Sequence, residues 1–244
     1  MVKYMNPLLL SFYSSLSTMI GALIINIKQN KNILFFSLSF ASGVMLTVSI
    51  FDLIPESFYK LNSYFNLIPS LLFLGIFFSI GVIISFLIDK YIPDNTNEIY
   101  RVGVINLIAI IIHNIPEGIA TYIAGSVDIK LGITLAISIA LHNIPEGIAI
   151  AIPIYYATKN KIKAILYTTA AGLSEFLGAI IAMIFLKDLI NNLFIGLILA
   201  IIAGIMFQIS IYELLPNAIK INKRRVGIYF LIGSIIMLIS IKII

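Results

Sequence analysis

The stretch VGVINLIAIIIHNIPEGIATYIAG, residues 102–125, carries a single formal charge, on Glu117. As an α-helix it rises about 36 Å, enough to cross a hydrocarbon core of about 30 Å. Its apolar residues follow no period-2 alternation, so a membrane helix is read rather than a barrel strand. Yet a histidine, an asparagine and a glutamate sit near its middle. The same hexapeptide, HNIPEG, occupies both 113–118 and 142–147, and the chain's 2 histidines, His113 and His142, belong to these copies.

Working outward, the whole chain reads like this stretch. Of 244 residues, 60% are hydrophobic and 11% charged, with a mean hydropathy of +1.07. Soluble domains carry about a quarter charged residues, so a polytopic membrane protein is expected. Eight spans fit the length, at about 6–27, 32–55, 66–88, 102–125, 130–152, 164–186, 191–216 and 226–244. They leave no room for a soluble domain, and residues 1–244 read as one all-α transmembrane domain. The first segment is too long for a signal-peptide core and lacks a small-residue cleavage site, so it reads as a mature helix. With no cysteine, thiolate ligands and disulfides are excluded.

The net charge of +5 reads as loop lysines that set orientation, not as a nucleic-acid footprint. With eight spans, 5 basic residues (Lys3, Lys60, Lys130, Lys187, Lys242) share one side and the other 11, Lys28 among them, the opposite side. Positive-inside bias places the larger set in the cytoplasm and both termini outside a cell membrane.

A second repeat lies further apart. GVMLTVSIFDLIP (43–55) and GIMFQISIYELLP (204–216) share Gly, Met, Ser, Ile, Leu and Pro in register, with Asp52 opposite Glu213. The charge count makes span 2 run outward and span 7 inward. Related segments of opposite direction mark an inverted repeat, frequent in secondary transporters. Spans 1–3 and 6–8 then form two halves around spans 4 and 5, a 3+2+3 arrangement.

Inside the spans lie Asp52, Glu117, Glu146, Glu175 and Glu213, with no lysine or arginine at comparable depth. An ionised carboxylate at the bilayer centre costs about 2.5–3.5 kcal/mol, so these acids are protonated, hydrated or facing a cation. In each HNIPEG the His and Glu stand four apart on one helix face. Both histidines lie about 20 Å from the turn near Val127–Asp128, so the two His/Glu faces meet as a four-ligand centre. Asn114 and Asn143 project about 100° round their helices, where a carbonyl oxygen can serve a neighbouring ion. Pro116 and Pro145 free the carbonyls of Ile112 and Leu141, either for a ligand or simply as kinks. Glu175, in GLSEFLGA, and Met45 also fall near mid-span. Nitrogen and oxygen donors without thiolate suit Zn²⁺, Fe²⁺, Mn²⁺ or Co²⁺ better than Ca²⁺ or Cu⁺.

The two HNxPEG helices, the GLSE helix and the GVM…DLIP helix resemble the ZIP (Zrt/Irt-like protein) family of divalent metal transporters, in particular its GufA-like prokaryotic branch. The resemblance implies an eight-helix fold with a binuclear site between helices 4 and 5. Its implied ligands are His113, Asn114, Glu117, His142, Asn143 and Glu146, with Glu175 and Met45 completing the set. It further implies movement of zinc, iron, manganese or cadmium into the cytoplasm, no prosthetic group, and frequent homodimers in the lipid bilayer. Departures are Phe176 where Pro is usual, Tyr212 where His is common, and the short DKYIPDNTNEIYR loop (89–101) where the family has a His-rich one. Asp52 and Glu213 read as acids of the transport pathway at its outer and inner ends, or as helix-end acids in interfacial water. Two rivals remain, a membrane-embedded metalloenzyme and a proton-coupled transporter of another solute. The enzyme does not need acids continuing beyond the site on both sides, and the proton-coupled transporter, whose acids would relay protons, leaves the clustered His and Asn unexplained.

Overall fold

The computed structural model describes residues 6–27, 30–91, 97–186 and 191–243. Lys3, Lys28 and Lys187 of the charge count, and positions 92–96 of the short loop, lie outside them. The described residues form helices and no strand. They are α1 (Pro7–Ala22, prolonged by a 3-10 turn Leu23–Asn26), α2 (Lys31–Asn62), α3 (Leu67–Tyr91), α4 (Glu98–Val127), α5 (Ile129–Thr158), α6 (Lys161–Ile181, prolonged by a π-turn Ala182–Leu186), α7 (Asn192–Asn222) and α8 (Val226–Ile243). Seven are long and apolar enough to span a membrane, and the eighth, apolar over Val226–Lys242, is slightly shorter. The chain is an all-α polytopic membrane protein.

Short polar side chains start these helices. Asn6, Asn30, Asn97, Asp128, Asn160 and Asn191 each accept a hydrogen bond from a backbone N–H two or three residues on. Each cap satisfies donors that the first helical turn cannot. Asp128 alone separates α4 from α5, which fixes these two as antiparallel neighbours.

Several boundaries differ from the sequence reading: span 5, expected to end at 152, runs to Thr158, and two others pass a proline. Spans 2 and 7 were expected to end at Pro55 and Pro216, but their helices continue to Asn62 and Asn222. A proline ring clashes with the carbonyl four residues earlier, here Phe51 and Tyr212. Both lie in π-turns, Ser49–Leu53 and Ile209–Leu214, whose wider winding accommodates the ring. The identical device at matching places is a structural signature of the repeat.

The chain divides into two compact units. One holds α2 from residue 38, with α3, α7 and most of α8; the other holds α1, α4, α5 and α6. In the first, Ser42 pairs with Ser210, Ser49 donates to the Ala203 carbonyl and Ser57 to that of Gly196. One partner number rises as the other falls, so α2 and α7 run antiparallel, as the inverted repeat requires. Close glycine contacts extend the repeat to α3 and α8, whose GIFFSIGVI (75–83) and GIYFLIGSI (227–235) also match. A Cβ on Gly43 would meet the Phe230 carbonyl, and one on Gly204 that of Phe78. Likewise Gly81 abuts Ile201 and Gly233 abuts Phe40. Each contact is the image of another under exchange of the halves.

The second unit obeys the same exchange. LSTMIGALI (16–24) of α1 matches LSEFLGAII (173–181) of α6. Gly118 of α4 abuts the Glu175 carbonyl and Gly178 that of Ile115, while Gly147 of α5 abuts Thr18 and Gly21 abuts Ile144. The first HNIPEG thus packs on α6 and the second, in mirrored fashion, on α1.

Candidate metal centre

Small residues set the scale of the site. Because Gly118 and Gly178 carry no side chain, α4 and α6 approach to backbone contact, and Gly147 and Gly21 do the same for α5 and α1. That approach draws the polar residues of the HNIPEG repeats into the buried interior. His113, Asn114, His142, Asn143, Glu146 and Glu175 are buried, and Glu117 is 9% exposed.

The i, i+4 spacing brings His113 Nε2 to 2.9 Å from Glu117 Oε1. The same carboxylate oxygen lies 2.8 Å from His142 Nε2 on α5, and Glu146 Oε1 lies 3.6 Å from His113 Nε2. The imidazole centroids are 6.2 Å apart. One ligand atom each from His113, Glu117 and His142 fits within 4.8 Å of the others. The two His/Glu faces therefore meet across the α4–α5 pair. Beside them, Asn143 Nδ2 donates to Glu175 Oε2 at 2.9 Å, which ties the α6 acid to the second motif. Asn114 Nδ2 donates instead to the Ala171 carbonyl at 3.0 Å.

What these groups leave undone is more telling. Both Glu146 oxygens, Glu117 Oε2, Glu175 Oε1, Asn114 Oδ1, Asn143 Oδ1 and His142 Nδ1 are buried without a hydrogen-bond partner. Buried polar groups nearly always have one, and each that lacks it costs about 1–3 kcal/mol. Here six oxygens and an imidazole nitrogen, all of ligating types, are held open together. A cation at this place would give such oxygens the partner they lack.

Met45, Asp52 and Glu213 belong to the other unit. Met45 is buried there, as is its repeat counterpart Met206. Asp52 and Glu213 lie within the two π-turns, each partly exposed. Pro116 and Pro145 are accommodated inside unbroken helices. The sequence reading passed over Thr18, Asn106 and Thr121, buried residues of this unit that each keep an unpartnered side-chain oxygen. Thr18 could have been found by aligning α1 with α6, where it stands opposite Glu175.

A family model described as "ZIP Zinc transporter" matches residues 93–241. The chain is similar over most of its length to proteins named zinc transporter ZupT. That of Streptococcus mutans is 40% identical, with 95% of both chains covered. That of Clostridium perfringens is 36% identical over 95% of this chain and 93% of its own, and that of Campylobacter jejuni 36% over 96% and 95%. These similarities set aside the metalloenzyme alternative. With the His/Glu cluster between paired HNIPEG helices, they establish that the chain belongs to the ZIP zinc transporter family.

Proposed function

We propose that this chain carries zinc, and with lower preference iron, manganese, cobalt or cadmium, across the cell membrane into the cytoplasm. Both termini face outside, and the whole chain acts as one transport domain around a binuclear centre. The observation that carries the reading is the set of ligand-type atoms of α4, α5 and α6 that are buried together and left without partners. One ion is held by His113, Glu117, His142 and Glu146. The second is held by Asn114, Asn143 and Glu175, where Asn143 already orients the Glu175 carboxylate.

Selectivity follows from the donors. Imidazole and carboxylate together favour borderline divalent ions, and the absence of thiolate keeps affinity low enough for release. Asp52 draws hydrated cations toward the outer end of the path, and Glu213 receives them at the inner end. Three carboxylates against two divalent ions leave an excess positive charge, so the second ion is the more weakly held.

Zinc uptake into sealed proteoliposomes tests this, with wild type beside a His142→Ala/Glu146→Ala variant. Saturable entry in wild type and its loss in the variant are expected. Stoichiometric binding without entry in wild type would sink the transport reading and leave a structural ion.

A further inference from the structure

The internal repeat holds one mismatch at the centre itself. In LSTMIGALI and LSEFLGAII the Leu, Ser, Gly, Ala and Ile positions agree, but Thr18 stands where α6 has Glu175. The backbones agree as well. Gly118 of the first HNIPEG abuts the carbonyl of Glu175, and Gly147 of the second abuts the carbonyl of Thr18. Residue 18 is thus placed toward α5 as residue 175 is placed toward α4.

The side chains register the missing acid. Asn143 donates to Glu175 at 2.9 Å. Its repeat counterpart Asn114 has no carboxylate from residue 18 to meet and donates to the Ala171 carbonyl at 3.0 Å instead. Thr18 is fully buried, and its hydroxyl, like Asn114 Oδ1, has no hydrogen-bond partner. It packs beside Gly172, one turn before Glu175. A hydroxyl at such a place normally bonds a carbonyl of its own helix, as Thr168 does with Ala164 at 2.9 Å. Thr18 instead keeps an unpartnered hydroxyl, as Asn114 keeps an unpartnered amide oxygen.

We propose that residue 18 is the fourth acid position of the centre, and that threonine there sets how tightly the second cation is held. A carboxylate at 18 would bring four negative charges to two divalent ions and neutralise both. Threonine leaves the centre one charge short, so the second ion is bound by Glu175 and otherwise through neutral oxygens, of Thr18 and Asn114 among others, and is the first to leave. The inference rests on the metal-transport reading and adds to it the residue that governs release.

Because the native chain has no cysteine, Thr18→Cys introduces a single thiol of nearly threonine volume. Cadmium titration of that purified variant should produce the charge-transfer absorbance of a cadmium thiolate, since soft sulfur binds soft cations strongly. Thr168→Cys, two turns and about 10 Å along α6 from Glu175, should bind cadmium without that band. A Thr18→Cys variant that binds cadmium at wild-type stoichiometry with no thiolate band would overturn the proposal. As an independent arm, Thr18→Asp should hold the second cadmium ion at least about tenfold more tightly than Thr18→Asn and slow maximal uptake correspondingly. Equal affinities in these two variants would equally overturn it. Failure of wild type to bind cadmium or zinc would instead remove the metal-transport reading beneath it.

Discussion

Both units of this molecule bury polar side chains in apolar helices, but the groups left open concentrate in one of them. In the unit of α2, α3, α7 and α8, serine hydroxyls close bonds across the helix pair. Ser49 donates to Ala203 at 2.8 Å, Ser57 to Gly196 at 2.7 Å, and Ser42 and Ser210 bond reciprocally. In the unit of α1, α4, α5 and α6, carboxylate and amide oxygens are drawn together and left unmatched. The first pattern is how membrane helices hold to one another without a hydrophobic driving force. The second destabilises the bare protein and is explained by a ligand that supplies the missing charge. Burial of polar groups therefore marks function only where the groups stay open.

Variants that affect one unit and spare the other break or sharpen this contrast. The largest effect is expected from His142→Ala, which should weaken zinc binding at least about 100-fold, since second-shell partners alone are worth 10–100-fold. Calorimetric titration of the detergent-solubilised protein measures it, and an unchanged affinity would place the ion elsewhere. Next, Glu146→Leu should raise the metal-free thermal midpoint, by about 1–3 kcal/mol in stability, because it removes a buried carboxyl whose two oxygens make no hydrogen bond. The same change should abolish stabilisation by added zinc. A lowered midpoint without metal would mean that Glu146 holds the fold together, contrary to the contrast drawn above.

Ser49→Ala should do the reverse. It removes a hydroxyl that closes the α2–α7 pair and should cost about 1 kcal/mol, with zinc affinity unchanged. Chemical denaturation beside a zinc titration separates the two effects. The smallest change is expected from Asp52→Ala, which should reduce uptake at low zinc by roughly 3- to 10-fold, as loss of electrostatic attraction does. Uptake at saturating zinc should be almost unaffected. An equal loss at all concentrations would place Asp52 in the rate-limiting step instead of at the entrance.

Composition and local chemistry alone determined the membrane class, the helical spans and the two His/Glu pairs that meet between α4 and α5. Those properties depend on groups close along the chain. A run of about 20 apolar residues must close its own backbone hydrogen bonds in lipid, and a His and Glu four apart must share a helix face. Asn114, Asn143 and Glu175 were legible as polar residues at the right depth, but not their pairing, since the sequence offered both asparagines equal claim to the α6 acid. Only the folded chain joined Asn143 to Glu175 and turned Asn114 to the Ala171 carbonyl. The reach of α2 and α7 past Pro55 and Pro216 was likewise decided in three dimensions, because a π-turn relieves a clash that sequence rules count as a stop. The matching glycine contacts of all four helix pairs were written in the letters throughout, but they gained meaning only when the carbonyl each glycine meets was known. Which helix backs which motif depends on close approach between residues far apart in the chain, and packing alone can select that. Thr18 shows the division most plainly: aligning α1 with α6 sets it opposite Glu175 in the letters, while its buried, unpartnered hydroxyl is tertiary.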